Sequence, residues 1–451
     1  MWNPTRREFL ATTGAGLALT ASEAIAQMPG ERPKQDPSVE VLNPRGRVPV
    51  SLIIDDSTCL VNLNRFAIPQ FAAAWENKRY FHDWRKMPLE IPDDFVRKFG
   101  DWCGEHGVKG KYSIVPYPAC VGRLDIEIPG WTHKQLVQSI DLVHERMVPN
   151  WDIHPEMVTH TRVIDIKTGH PYPKLGPEFV ENWRWTDGKS AEQIADYMRY
   201  ALQILKNIDL PCEGITTPGG FGNRVLPELS QATLAAVRDI YGAEIPHYFR
   251  HLYSSGDRSV APRVEYASGL DTDDPKCVVS IIGCTGDWTG GWDCSSRGQL
   301  DRFITPDLQS GRMVEVIERG EPANMVCHWT GIHFNGEEVG FRIFKEVVRR
   351  LHERFDNLIW MKNSELARYW AAKELTRFEQ QAEAVAIRAP FACPGFTVRL
   401  KRPGNRRPAY RQQPLREVAS PLHLVPGTFH DNRSGRHICI DLKQGASVLN
   451  S

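Results

Sequence analysis

The chain is expected to fold as an α/β protein: a distorted, roughly seven-stranded (β/α) barrel with a small β-rich C-terminal appendage. Three observations predict this. Between residues 47 and 379, short apolar runs alternate with amphipathic helical patterns, the arrangement that parallel strands with crossover helices require. The polar residues able to do chemistry gather where those runs end, the face on which such barrels carry their sites. From about residue 380 the helical period stops, and Pro and Arg become frequent in residues 388–451. A doubly wound open sheet is the alternative architecture for the same alternation.

Composition narrows the class. Lys+Arg and Asp+Glu both number 55 in 451 residues, so the formal net charge is zero. No overall basic field exists to attract nucleic acid or an anionic membrane. A 41% hydrophobic and 10% aromatic content supplies a large core and excludes a disordered chain. No run reaches the ~18–20 apolar residues of a membrane span. The ten cysteines are too dilute for a disulfide scaffold and contain no CxxC pair, so most are read as buried small hydrophobes.

The elements follow in order. Residues 1–26 read as an address: Arg6 and Arg7 precede an apolar run from Phe9 to Ala21, and Ala24-Ile25-Ala26 offers a cleavage site before Gln27. The pattern resembles a twin-arginine (Tat) export signal. It implies the Tat machinery as a partner, a mature chain beginning near Gln27, and a bacterial periplasmic or secreted location. Such chains fold before export, so metal can be loaded inside the cell. Residues 27–46 (QMPGERPKQDPSVEVLNPRG) have the Pro-rich, polar composition of a linker.

The run VPVSLII ending at Asp55 predicts a buried strand. A helix is expected from Pro92 to Glu105, with Gly107 past its end, followed by a strand over 111–115. Thr132 with Gln135, and Ser190 with Gln193, form two capping boxes that open amphipathic helices. A strand between them leads into His154. Further strands are expected at 213–217, 277–283, 323–327 and 357–361, and helices at 226–241, 337–353 and 364–378. Residues 60–90 and 242–276 read as insertions shaping the mouth of a site. In the tail, Arg399, Lys401, Arg402, Arg406 and Arg407 read first as a solvated face and second as a contact for an acidic polymer.

Candidate chemistry sits at the strand ends. Asp55 and Asp56 are adjacent, so their side chains leave the strand on opposite sides and can serve a metal and a proton separately. The segment WDIHPEMVTH places His154, Glu156 and His160 within seven residues, an N/O set suited to zinc or a similar divalent ion. Thr216-Thr217-Pro218-Gly219-Gly220 follows a fourth strand, Asp287-Trp288 follows CVVSIIGC, and His328 ends ANMVCH. Trp288 and Trp292 offer either a stacking wall for a sugar ring or ordinary core packing.

Taken in order, the Asp-Asp pair, the His cluster, the Pro-Gly segment, the Asp-Trp and the late strand-ending His resemble the polysaccharide deacetylase (NodB-homology) family. The resemblance runs from about Val48 to Ala371. It implies a metal-dependent hydrolase that removes acetyl groups, as amide or ester, from a carbohydrate. Asp55 would be the general base and His328 the general acid. Asp56, His154 and His160 would hold a divalent metal, Zn2+ by its donor set, and Gly220, Asp287 and Trp288 would meet the substrate. A backbone N–H near Gly219 or Gly220 would serve an oxyanion.

The chain departs from the family in three places. Ser57-Thr58 stands where Gly-Pro is usual. The two histidines are six apart instead of four, which leaves Glu156 as a rival to His154. Thr216-Thr217-Pro218 lacks the Arg that orients the base. Two other functions stay open: a catalytically silent carbohydrate-binding protein on the same fold, and a hydrolase of a non-sugar C–N bond.

Overall fold

A computed structural model describes residues 30–450, apart from residues 76, 78, 79, 82 and 382. The expected export signal and its cleavage site lie outside the described residues. Within them the chain is a mixed α/β structure with several sheets and many parallel strands.

Strand β1 (Val39–Val41) arises inside the stretch read as a linker, and its Val39 and Val41 make it a better strand than the surrounding Pro-rich composition suggests. Then come β2 (Val48–Asp55), β3 (Gly110–Ile114) and β4 (Trp151–Pro155). The short hairpin β5 (Ile164–Asp165) and β6 (His170–Pro171) precedes β7 (Gly214–Thr216), β8 (His247–Leu252), β9 (Arg263–Ser268) and β10 (Lys276–Gly283). Strands β11 (Ala323–His328) and β12 (Leu358–Trp360) complete this part.

One sheet runs β11-β2-β3-β4, all parallel, and β12 pairs in parallel with the start of β2. A second runs β7-β8-β10 in parallel, with β9 antiparallel on its edge. Strand β8 lies within the expected insertion 242–276. Its sequence HYFRHL has no apolar run, so its place in a sheet was hidden.

The sheets approach each other at two seams. Cys284 N–H donates to the Asn324 carbonyl at 2.8 Å, and Asn324 Nδ2 donates to the Ile282 carbonyl at 2.9 Å. At the other seam, His154 of β4 and His247 of β8 bring their Nε2 atoms to 3.0 Å. Gly214 of β7 makes room there, because a Cβ on it would stand 2.7 Å from both nitrogens.

Helices form where the spacing predicts them. Both capping boxes exist: Thr132 opens the helix His133–Leu142, and Ser190 opens Ala191–Asn207. In each, the cap hydroxyl accepts from the N3 amide while the N3 Gln reaches back. Along β2, Val50, Leu52 and Ile54 join the helix-covered core, whereas Ile53 belongs to a second apolar cluster. The alternation therefore assigns Ser51, Ile53 and Asp55 to one face. The helix Asn363–Leu375 lies against early residues of two strands, since Ser51 Oγ donates to Asn363 Oδ1 at 3.4 Å and Ser364 Oγ to Asp152 Oδ1 at 2.7 Å.

The tail is β-rich throughout: β13 (Arg377–Gln381), β14 (Ala384–Ala389), β15 (Cys393–Leu400), β16 (Ala409–Tyr410), β17 (Gln413–Pro414), β18 (Arg416–Glu417), β19 (Thr428–Asn432), β20 (Gly435–Leu442) and β21 (Gly445–Asn450). They form sheets β1-β15-β20-β19-β18 and β13-β14-β21-β16-β17. Phe378, Phe396 and Ile440 share an apolar cluster with Leu366, Tyr369 and Trp370 of the preceding helix, so the tail is packed onto the α/β part.

The basic run is partly engaged locally. Arg399 pairs with Glu40, Arg406 with Glu383 at 3.2 Å, and Lys401 donates to the Pro37 carbonyl. All ten cysteines are free, and eight of them are buried. Among the described residues no helix is long and apolar enough to cross a membrane.

Candidate metal and catalytic site

Asp55 is the last residue of β2, and β11 runs beside it in parallel with His328 as the register partner of Asp55. Two chemistry-bearing side chains thus stand next to each other at the carboxyl ends of adjacent strands. Asp56 follows with a left-handed backbone, φ 63°. His160 also has φ 63°, and Met157 between the strand and His160 has φ 53°. For residues other than Gly this conformation costs on the order of 1–2 kcal/mol, and such strain concentrates at functional sites.

These turns bring Asp56, Glu156 and His160 together, with one donor atom from each lying within 4.8 Å of the others. All three are buried. His160 Nε2 is 3.0 Å from Asp56 Oδ1, and its Nδ1 is 3.4 Å from Glu156 Oε1. The Asp56 N–H donates to Glu156 Oε2 at 2.7 Å, and Asn182 Nδ2 lies 3.1 Å from His160 Nε2. Burial, together with the nearby carboxylates of Asp55 and Asp56, pushes the Glu156 carboxyl up to about 7. Two carboxylates and an imidazole in a buried site make an N/O donor set of the kind that suits a divalent cation.

His154 is not part of this group. It is two residues earlier, inside β4, where its Nε2 meets His247 and its Nδ1 lies 3.4 Å from Thr216 Oγ1. With half-buried Asp152 and buried His247 it forms a separate cluster at the seam between the sheets. Burial holds its imidazole well below the usual histidine range. Of the two residues that sequence spacing left open, Glu156 is the one that joins Asp56 and His160.

Asp55 meets a partner that sequence reasoning missed. Lys111, fully buried on β3, donates to Asp55 Oδ1, to Ser113 Oγ at 2.7 Å and to the Ile54 carbonyl at 2.8 Å. The available signal was a lysine within a strand whose residues are otherwise uncharged. Glu181 is a second missed residue. It accepts from the Thr159 amide, from the His160 amide at 2.6 Å and from Tyr197 Oη at 2.5 Å, so it holds the loop carrying His160. Burial raises its carboxyl to about 7 against those three donors.

Asp287 stands beside the strand-ending histidine, with Oδ2 3.0 Å from His328 Nδ1 and also accepting the Trp292 amide at 2.7 Å. Trp288 turns into the apolar core, edge-on to Phe303 at 5.3 Å and under Arg302 at 4.1 Å. Trp292 packs with Phe71 and Tyr80 near Trp183. The Gly220 N–H is already committed to the Asn182 carbonyl at 2.5 Å, so that amide is not the donor for an oxyanion. The absence of a side chain at Gly220 serves this close approach, since a Cβ would stand 2.8 Å from the Trp183 carbonyl.

Comparison with family models and with curated proteins finds no match to this chain.

Proposed function

We propose that the protein is a metal-dependent hydrolase that removes acetyl groups from a carbohydrate, acting on an amide or an ester. The observation that carries this reading is one constellation at neighbouring strand ends: the Asp56/Glu156/His160 group, the Asp55–Lys111 pair and the His328–Asp287 pair. It has the parts that acyl transfer to water needs. The carbohydrate, and the choice of acetyl as the group removed, rest on the motif order that resembles polysaccharide deacetylases.

Asp56, Glu156 and His160 are the residues that would hold the ion, with Zn2+ preferred for their N/O donors. A bound divalent ion polarises the substrate carbonyl and lowers the pKa of water toward ~7. The Asp55 carboxylate removes a proton from the attacking water. His328, oriented through Nδ1 by Asp287, presents Nε2 to the leaving group and gives it a proton. Glu181 keeps His160 in place through its backbone amide.

The same reading takes the two parallel sheets as parts of one distorted (β/α) barrel, supported by the bonds between β10 and β11 and by the His154–His247 contact. It also takes residues 1–26 as a Tat signal and places the enzyme in the periplasm or outside the cell. The test is the metal content of protein purified from Gln27 onward, with acetate release from acetylated oligosaccharides. About one divalent ion per chain, lost in Asp56→Ala and His160→Ala together with acetate release, is the expected result. A metal-free protein that stays metal-free after dialysis against zinc, and that binds oligosaccharide without hydrolysing it, would replace the hydrolase with a binding scaffold.

A further inference from the structure

Lys111 is a fully buried charge beside the site that the mechanism above leaves without a role. A fully buried ammonium is costly unless paired and hydrogen-bonded. Here its three N–H donors meet three acceptors: Asp55 Oδ1, Ser113 Oγ and the Ile54 carbonyl. The register explains how it reaches them. Lys111 is the Cα partner of Ile53 on the parallel neighbour β2, two residues below Asp55 on the same face. Its four-carbon stem therefore climbs one pleat toward the strand end. The Phe249 ring centre lies 5.6 Å from Nζ.

Among the described residues, the one hydrogen bond to the Asp55 carboxylate, from Lys111, falls on Oδ1. A free lysine would sample many rotamers, but three bonds fix this one and with it the plane of the Asp55 carboxylate. The segment Thr216-Thr217-Pro218 contains no cation, and the cation bound to Asp55 stands on β3.

We propose that Lys111 is the positioning residue of the site: it clamps Asp55 through Oδ1, so that Oδ2 takes the proton from the attacking water. This rests on the hydrolase reading above. In the step, water's oxygen forms a bond to the acetyl carbon while its proton passes to Asp55 Oδ2. The acetyl C–N or C–O bond then breaks, and the leaving nitrogen or oxygen receives a proton from His328. Acetate and the free amine or hydroxyl are the products.

The experiment is a double-mutant cycle on the zinc-loaded full chain: Lys111→Met, Asp55→Asn and the pair, with Lys111→Gln as a second neutral variant. Expected in the single lysine variants are unchanged metal content, KM within about twofold, and kcat lower by about 100-fold, the low end of what a positioned base contributes. In the Asp55→Asn background, Lys111→Met should cost nothing further, because the clamp has no base left to hold. In metal-free protein the same two substitutions should be non-additive in urea unfolding, which reports the clamp apart from activity. Full kcat in both lysine variants, or losses that multiply in the pair, would overturn the proposal while leaving the hydrolase standing. A wild type that releases no acetate from any acetylated sugar would overturn both.

Discussion

Strand β4 and the loop after it carry two clusters of acid and imidazole, and the difference between them is instructive. Asp152, His154 and His247 lie where the sheets meet; Asp56, Glu156 and His160 lie past the strand ends. In both clusters each histidine nitrogen has a neighbour: Thr216, Ile245, Asp152 or the other ring in the first, and Asp56, Asn182 or Glu156 in the second. Asp152 is occupied in capping the helix Asn363–Leu375. The backbone there is ordinary strand. In the second, Asp56 and His160 adopt left-handed backbone, and Glu156 is pushed up to about 7 by burial among carboxylates. Buried histidine beside acid is thus common to both clusters, and the left-handed turns and the raised carboxyl are found in the second.

The sharpest way to break that comparison is to exchange one member of each cluster. Glu156→Gln should weaken zinc binding more than about 100-fold, beyond the 10–100-fold typical of residues that merely support a ligand. His154→Gln should leave the zinc stoichiometry unchanged and instead lower unfolding free energy by about 1–3 kcal/mol for its buried hydrogen bonds. Metal analysis and urea titration of the two variants decide it. Zinc lost from His154→Gln would reverse the assignment.

Linkage gives the next largest effect. Zinc at 100 times its Kd should add about 2.7 kcal/mol to the stability of the wild type. Chelation should remove that increment and lower the thermal midpoint, whereas Asp56→Ala should respond to neither zinc nor chelator. The same response in Asp56→Ala would place the ion elsewhere.

Gly214→Ala probes the seam alone. A Cβ 2.7 Å from both His154 and His247 forces the rings apart, at about 1–3 kcal/mol. Zinc affinity should hold, and a parallel loss of zinc would show that the two clusters are coupled. The smallest expected change is Tyr197→Phe, which removes one donor from Glu181 behind the His160 loop. It should cost about 1 kcal/mol of stability and a modest part of the zinc affinity, measured by competition with a chromogenic chelator.

Much of the local structure was legible because it depends on neighbours in the chain. The capping boxes at Thr132 and Ser190 need only residues three apart, and both formed as read. The apolar run VPVSLII predicted β2 and put Asp55 at its end, and His328 likewise ends β11. Strand β8 was not legible, since HYFRHL offers neither an apolar run nor clean alternation. Its tyrosine and phenylalanine are buried only because β7 and β10 flank it.

The sequence by itself determined which residues could be ligands, bases and acids, and in what order they reach strand ends, since side-chain chemistry and the two-residue period of a strand are local properties. Which of them meet was decided by the tertiary structure. Choosing Glu156 over His154 depended on left-handed turns at Met157 and His160. Pairing Asp55 with Lys111 depended on the register of β2 against β3, and placing Glu181 behind His160 depended on a loop some twenty residues downstream. The physical reason is common to all three: burial and charge compensation act between atoms that are near in space, and spacing along the chain carries no record of them.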